Sequence, residues 1–225
     1  MAGLAAAARA AELGASVVVL EKAGRLGGSA GLSAGILWTA PDVATLRRLD
    51  PGGDAELGAA LVAGFAPAVE WIRATGAFVS ERWEGQMGFG SAVRVDIAAL
   101  LAAWRERIER AGGRVLLGSP ARRLLAGGGV EVAGAAAGEL RAGAVLLATG
   151  GFQGDPALRD ELIGAPAGSL LVRSAPGSTG DGLRMGREAG AATSAGRGFY
   201  GHLVPSPLAR WGEADFLPLT QYHSS

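Results

Sequence analysis

Residues 1–29, MAGLAAAARAAELGASVVVLEKAGRLGGS, decide the fold of this chain. The Ala-rich run 2–13 consists of strong helix formers and is followed by Gly14, a residue type common just past a helix end. Residues 16–20 (SVVVL) are a short β-branched run bounded by charge, as in a buried strand of a parallel sheet. Because a helix followed by a strand is half of a βαβ unit, the stretch predicts an α/β fold.

The rest of the chain continues to alternate helical and strand patterns. Short apolar runs between Gly-rich turns predict a small antiparallel meander over residues 121–148, ending in a buried strand, Val145–Ala148. The Gly- and Ser-rich residues 21–40 indicate a loop, and residues 76–94 an irregular stretch. Apolar spacing predicts helices over residues 54–74, 96–110, 156–163 and 182–190.

The composition of the 225 residues excludes several classes of protein. Lys+Arg and Asp+Glu are balanced at 21 each, so the chain lacks the excess of positive charge that binds nucleic acid or an anionic membrane. With no Cys, disulfides, thiolate metal sites and Cys nucleophiles are excluded, and the 2 His supply a metal site poorly. Any redox chemistry therefore requires a cofactor. No apolar run reaches the roughly 18 residues of a membrane span, so a cytoplasmic protein is expected.

The opening residues also match part of a dinucleotide-binding unit. In that unit the last Gly of GxGxxG lets the helix pack on its strand, and the helix N-terminus receives the pyrophosphate. An acidic residue at the end of the second strand accepts hydrogen bonds from the ribose hydroxyls. Gly3 and Glu21 stand where that Gly and that acid would be. They fit equally an ordinary helix and strand followed by a solvated acid.

The stretch 1–29 resembles the opening FAD-binding segment of the fumarate reductase and succinate dehydrogenase flavoprotein family, which includes FAD-dependent 3-ketosteroid dehydrogenases. Three more matches follow in the family's order: RLGGS (25–29), ATGGF (148–152) and STGDGL (178–183). Taken alone, these are also typical of a surface turn, a strand ending at a Gly turn and a helix N-cap. The resemblance implies an α/β, Rossmann-like FAD-binding fold of the glutathione-reductase type. It would carry the small antiparallel β-meander and lack the first strand and the capping domain.

The same resemblance implies a set of cofactor-binding residues drawn from all four segments. Family members that link FAD covalently use a His near the Gly-Gly-Ser sequence. No His occurs in this chain before His202, so FAD is expected to be noncovalent. The residues expected to bind FAD are Gly3, Glu21, Lys22, Gly27, Gly28, Ser29, Ala121, Thr149, Gly150 and Asp181.

The substrate residues are less determined than the cofactor residues. His202 follows Asp181 at the spacing where relatives acting on dicarboxylates place a substrate-binding His, and Tyr200 is a second candidate. The LVP sequence after His202 departs from the motif of those relatives, so a packed or surface His is an equal alternative. No catalytic residue is identified, and no metal is expected. The expected partners are a small-molecule substrate, a dicarboxylate or a steroid-like ketone, and an unknown electron donor or acceptor.

The resemblance implies hydride transfer between the flavin and a carbon next to a carbonyl or carboxylate, as in fumarate-type reduction or ketosteroid-type 1,2-dehydrogenation. Compared with members of that family, the chain looks short at both ends. We therefore expect this chain alone to have no enzyme activity. The alternatives are a non-catalytic truncated fragment or pseudo-enzyme with weak or no flavin binding, and a nicotinamide-binding enzyme. The expected organisation is a partial FAD-binding domain over 1–225. It comprises a dinucleotide-binding unit (1–40), a helical insertion (41–118), the meander and flavin-contacting segment (119–195), and the start of a substrate or capping region (196–225).

Overall fold

The computed structural model describes residues 1–86, 88–170, 172 and 174–193. The chain divides into two compact units. The first unit contains residues 3–17 and 33–114, and the second contains residues 18–32 and the chain from residue 115 onward. The dinucleotide-binding unit expected at 1–40 is therefore divided between them.

The helices lie close to where the sequence predicts them. In the described chain the α-helices are α1 (Ala2–Glu12), α2 (Val43–Leu49), α3 (Ala55–Arg73), α4 (Ile97–Arg110), α5 (Pro156–Leu162) and α6 (Asp181–Glu188). The β-strands are β1 (Val18–Leu20), β2 (Ile36–Thr39), β3 (Trp83–Gln86), β4 (Gly90–Arg94), β5 (Arg114–Leu116), β6 (Ala121–Leu124), β7 (Val130–Val132) and β8 (Gly138–Leu140). Of these helices, α2 was not predicted.

Aspartate side chains cap the N-termini of the helices from α2 to α5. The Asp54 carboxylate accepts the backbone N–H of Leu57 at 2.9 Å, and the Asp96 carboxylate accepts that of Ala99 at 2.9 Å. Each such cap stabilises a helix by about 1 kcal/mol because it satisfies an amide that has no partner within the helix. The starts of α3 and α4 therefore lie within one residue of the predicted positions.

A three-stranded antiparallel sheet in the first unit has the order β2-β4-β3. The prediction of an irregular stretch at 76–94 is wrong, because this stretch forms β3 and β4. Residues 90–93 of β4 are all buried, so the alternation of apolar and polar residues that reveals a half-exposed strand is missing. A Cβ on Gly90 would overlap the Trp38 ring, so glycine is needed where these strands meet.

The core of the first unit forms around α4. Leu100, Trp104 and Ile108 lie on one face of this helix and are at most 2% exposed. The Trp104 ring stacks on the Trp71 ring of α3, with centroids 5.3 Å apart. Burying these large side chains stabilises the core, and the ring stack joins α3 to α4.

The second unit contains one small sheet and all of a second, two-stranded one except Arg114. β1 pairs with β5, and Arg114 N–H donates to Val17 O at one end while Glu21 N–H donates to Leu116 O at the other. Both partners advance along the chain together, so the pair is parallel. The strands β6, β7 and β8 form the predicted antiparallel meander. The helix α6 packs against β6.

The predicted strand Val145–Ala148 is not formed. Residues 141–150 are exposed, with Leu146 66% exposed, and no ladder in the described chain includes them. A β-branched and apolar run prefers extended backbone, but it becomes a strand only where a neighbouring strand accepts its hydrogen bonds.

The helix α3 changes the expectation about membrane spans. It has 19 residues and a window with a mean hydropathy of 1.3, so its length and composition would allow it to cross a membrane. Only 17% of that window is buried. The expectation that no run is long enough is therefore wrong for α3. One such helix does not distinguish a membrane segment from a helix of a soluble protein.

Candidate functional site

Three segments that carry the predicted motifs meet within the second unit. They are residues 21–29, residues 149–155 and residues 175–184. Gly180 N–H donates to Gly151 O at 3.1 Å, which joins the second segment to the third. Ala175 N–H donates to the Ser29 hydroxyl at 3.4 Å, which joins the third to the first. The tertiary fold therefore gathers motifs that are more than 100 residues apart in sequence.

The first segment begins at the end of the β1–β5 pair. Glu21 is held by its backbone, since its N–H donates to Leu116 O at 2.9 Å and its carbonyl accepts Ser119 N–H at 2.9 Å. Its Oε1 accepts the N–H of Ala23 at 2.8 Å, which stabilises the turn after the strand. The other carboxylate oxygen has no hydrogen bond to a described residue and is available to accept ligand hydroxyls.

The Gly-Gly sequence of the first segment adopts a backbone conformation that favours glycine. Gly27 has φ +123° and Gly28 has φ +51°, both in a region that L side chains rarely adopt. The Gly27 carbonyl accepts Ala30 N–H at 3.0 Å as the chain enters a short 3₁₀ turn, Gly28–Leu32. No atom of the described chain outside the immediate neighbours lies within 4 Å of where a Gly28 Cβ would be. A ligand can therefore approach this backbone.

Thr149 and Gly150 occupy the start of the second segment. The Thr149 hydroxyl accepts Gly182 N–H at 3.0 Å, so it caps the first turn of α6. A Cβ on Gly182 would overlap that hydroxyl, so glycine allows the close approach. Gly150 has φ +79°, which lets the chain turn directly after Thr149. The two motifs ATGG and TGDG therefore contact each other through Thr149.

Lys22, Thr179 and Asp181 form a closed network. The Lys22 ammonium donates to the Asp181 carboxylate at 2.7 Å and to the Thr179 hydroxyl at 2.8 Å. The Thr179 hydroxyl donates to the other Asp181 oxygen at 2.9 Å. Burial raises the pKa of Asp181, but hydrogen bonds from Lys22 and Thr179 and the charges of Lys22 and Arg184 outweigh it, so this pKa lies below its ordinary value. Asp181 is therefore ionised at neutral pH.

Further contacts around this network were not foreseen from the sequence. Arg184 donates to Thr179 O at 2.6 Å and forms an ion pair with Asp155. Gly154 N–H donates to Ser178 O at 2.7 Å. Asp155 had a visible signal, because an Asp before a Pro often begins a helix. Arg184 had none, since a basic residue in a helix gives no indication of its partner.

Two predicted residues belong to none of the three segments. Gly3 belongs to α1, in the first unit, and Ala121 begins β6, where it pairs with Val132. The candidate substrate residues Tyr200 and His202 lie outside the described residues. Among the residues that are described, no group of three His, Cys, Asp or Glu side chains is placed to hold a metal ion.

The groups gathered here suit a ligand with phosphates and several hydroxyls. Lys22 supplies a cation, Ser29 and Thr149 supply hydroxyls, and the glycine-rich turn at Gly28 exposes backbone. Cations and exposed backbone amides bind phosphate, and carboxylates such as Glu21 accept hydrogen bonds from sugar hydroxyls. A dinucleotide presents both kinds of group in one molecule.

Comparison with known proteins shows the family to which this chain belongs. The chain belongs to the FAD binding domain family, which matches residues 1–217. It is 28% identical to the vinyl phenol reductase of Lactiplantibacillus plantarum, over 84% of this chain and 44% of that protein. The predicted recognition and the FAD-binding fold class are thereby confirmed.

Solved structures show the same fold at low identity. A 3-ketosteroid-Δ4-(5α)-dehydrogenase from Rhodococcus jostii RHA1, in complex with 4-androstene-3,17-dione, has a TM-score of 0.71 and 19% identity, covering 85% of this chain and 52% of its own. An open flavocytochrome c3 fumarate reductase has a TM-score of 0.69 and 20% identity, covering 83% and 38%. A 3-ketosteroid Δ1-dehydrogenase from Sterolibacterium denitrificans has a TM-score of 0.68 and 17% identity, covering 82% and 52%. The chain spans about half the length of these proteins or less.

Proposed function

We propose that this chain binds FAD noncovalently and forms the cofactor-binding part of a flavin-dependent oxidoreductase. The observation that carries the proposal is the meeting of residues 21–29, 149–155 and 175–184 in one unit of a chain that belongs to the FAD binding domain family. A nicotinamide-binding domain needs the Gly-rich opening alone. Here the Gly-Gly-Ser turn and both later motifs also reach the site, which favours FAD.

Each segment has a distinct task in this proposal. Glu21 accepts hydrogen bonds from the ribose hydroxyls of the cofactor, and the backbone around Gly27 and Gly28 binds its pyrophosphate. Thr149 and Asp181 contact the flavin half, with Thr149 also holding the start of α6. Asp181, being ionised, accepts hydrogen bonds and donates none.

When bound, FAD supplies hydride transfer, the chemistry that no side chain of this chain provides. We propose a carbon next to a carbonyl or carboxylate as the other partner, as in fumarate-type reduction or ketosteroid-type 1,2-dehydrogenation. Support comes from the proteins of similar fold, which are named as a fumarate reductase and ketosteroid dehydrogenases. The protein's own task is to orient the cofactor and to exclude water. The substrate is a small molecule, a dicarboxylate or a steroid-like ketone, and the electron partner is unidentified.

Flavin binding is tested directly on the purified chain. We expect the visible absorbance of oxidised flavin after incubation with FAD and gel filtration, and a lower affinity for NAD. Acid precipitation should release the flavin into the supernatant if binding is noncovalent. Flavin that stays with the pellet would contradict noncovalent binding, and no flavin retention would favour a non-catalytic fragment.

Turnover is tested separately, with fumarate-type and ketosteroid-type substrates and an artificial dye. The assay compares this chain with a longer version that reaches the length of the relatives. Orienting a substrate against its cofactor is worth about 7–11 kcal/mol of the barrier, so the part of a relative that this chain does not cover is expected to matter greatly. Turnover is expected in the longer version and not in the 225-residue chain.

A further inference from the structure

We propose that Lys22 is a positioning residue: its ammonium fixes the Asp181 carboxylate and the Thr179 hydroxyl in their binding positions before the cofactor arrives. This role rests on the proposed function and makes Lys22 act through Asp181. The preformed arrangement then needs little reordering when FAD binds, which lowers the entropic cost of binding.

In the network, each of the three side chains of Lys22, Thr179 and Asp181 is hydrogen-bonded to the other two. Lys22 donates two hydrogen bonds, to Asp181 Oδ2 and Thr179 Oγ1, and Thr179 in turn donates to Asp181 Oδ1. Each oxygen of the Asp181 carboxylate thus accepts one bond. A carboxylate can accept about four hydrogen bonds, so about two positions stay open for ligand hydroxyls.

The Lys22 side chain is itself restrained along its length. A Cβ on Gly177 would lie 3.1 Å from Lys22 Cε, so the aliphatic stem passes closely over the backbone of Gly177. The side chains of Lys22 and Asp181 are 30% and 29% exposed. Solvent screens such a half-buried pair less than it screens a surface ion pair, so the pair persists at physiological salt.

Lys22 connects β1 with α6, and no backbone hydrogen bond joins these two elements. It follows β1, and Asp181 begins α6, 159 positions later in the chain. Asp181 without Lys22 would also place an uncompensated negative charge beside an anionic dinucleotide. Lys22 therefore serves both to locate α6 and to neutralise Asp181.

A double-mutant cycle on FAD affinity tests the coupling between Lys22 and Asp181. The variants are Lys22→Met, Asp181→Asn and the double variant, with affinity measured from the change in flavin fluorescence. We expect Lys22→Met to weaken binding about 10-fold, the loss for a hydrogen bond to a charged group. The double variant should lose no more than the weaker-binding single variant. Losses that multiply would show that Lys22 acts independently of Asp181 and would overturn the proposal.

Two further variants separate positioning from a general effect on the fold. Lys22→Arg keeps the cation and should retain most of the affinity. Arg187→Met removes a comparable ion pair of α6, with Glu161 at 2.8 Å, and should leave FAD affinity unchanged. A loss in Lys22→Arg equal to that in Lys22→Met, or a similar loss in Arg187→Met, would contradict a specific role of the Lys22 cation.

Amide hydrogen exchange of the FAD-free protein supplies a readout that does not depend on the cofactor. The Gly180 and Gly182 amides donate to Gly151 O and Thr149 Oγ1, so they report whether the start of α6 is held in place. Both amides should exchange faster in Lys22→Met and not in Arg187→Met. Unchanged exchange would overturn the positioning role. If the wild-type protein failed to bind FAD while Lys22→Met still exchanged faster, only the proposed function would be contradicted.

Discussion

The hydroxyl of Thr149 accepts the backbone N–H of Gly182 at 3.0 Å, and it thereby caps a helix that begins more than 30 residues later. The N-cap residue of α6, Gly180, has no side chain that could do this. Thr149→Val should therefore lower the free energy of unfolding by about 1 kcal/mol, the value of a helix cap. Urea unfolding measures the change. Thr149→Ser keeps the hydroxyl and should behave nearly as wild type, and equal losses in both variants would contradict the cap.

Gly180 and Gly190 allow strain to be separated from steric overlap. Their φ angles are +79° and +83°, so alanine at either position is strained by about 1–2 kcal/mol. A Cβ on Gly180 would also lie 2.5 Å from Leu158 Cδ1, whereas no atom of the described chain lies within 4 Å of a Cβ on Gly190. Gly180→Ala should therefore lower the melting temperature more than Gly190→Ala. Equal shifts in the two variants would show that packing around Gly180 is loose.

Glu21 is placed to bind the ribose hydroxyls of the cofactor. Glu21→Ala should weaken FAD binding by about 1–3 kcal/mol, the cost of removing hydrogen bonds to a charged group. The matched control is Glu139→Ala in β8, whose carboxylate pairs with Arg141 on the surface. Isothermal titration calorimetry with FAD measures the affinity of both variants, in this chain and in a longer version of it. Unchanged affinity in Glu21→Ala would remove Glu21 from the site.

Glu12 should make the stability of the first unit depend on pH. Burial raises the pKa of this carboxyl, but hydrogen bonds from Arg9, Trp71 and Arg107 and the Arg107 charge outweigh it, so the pKa lies below the ordinary value of 4.5. A group with a lowered pKa stabilises the folded state above its unfolded pKa, and this stabilisation is lost as pH falls through the folded pKa.

The test compares urea unfolding of wild type and Glu12→Gln at neutral pH and below pH 4.5. Wild type should be the more stable at neutral pH, and the difference should shrink in acid. Glu106→Gln is the control, because Glu106 forms an exposed ion pair with Arg110 on α4. This substitution should change the free energy of unfolding little at either pH. A difference that persists in acid would mean that the Glu12 charge is not its cause.

Arg159 organises the chain that follows α5. It is 6% exposed, and its guanidinium donates to the carbonyl of Ala167 at 2.9 Å and to the carbonyls of Gln153 and Gly168. Arg159→Met would remove the donor of the half-buried Gln153 and Gly168 carbonyls, at about 1–3 kcal/mol each when no water replaces it. The Ala167 carbonyl would keep the N–H of Leu170 at 3.1 Å. We expect a loss of stability of about 3 kcal/mol and faster proteolysis of residues 164–170. Arg187→Met is the control, and unchanged proteolysis in Arg159→Met would contradict the prediction.

Local sequence determined most helices and the meander of this protein. Asp54 and Asp96 cap α3 and α4, and Gly-rich turns separate the strands from β6 to β8. The positions of these elements therefore depend on residues that are close in sequence. The motifs around Gly28, Thr149 and Asp181 were recognised by their resemblance to the flavoprotein family, because each of them alone is also typical of a turn or a helix cap. The family match over residues 1–217 agrees with those motifs.

Tertiary structure alone decided which motifs meet and which apolar runs become strands. The run at 90–93 forms a strand because β2 and β3 lie on either side of it, whereas the run at 145–148 has no partner strand among the described residues and is exposed. Likewise, the pairing of Lys22 with Asp181 spans 159 positions, and nothing near either residue indicates the other. Hydrogen bonds between strands and ion pairs between distant segments need both partners in place, and only the folded chain brings the partners together.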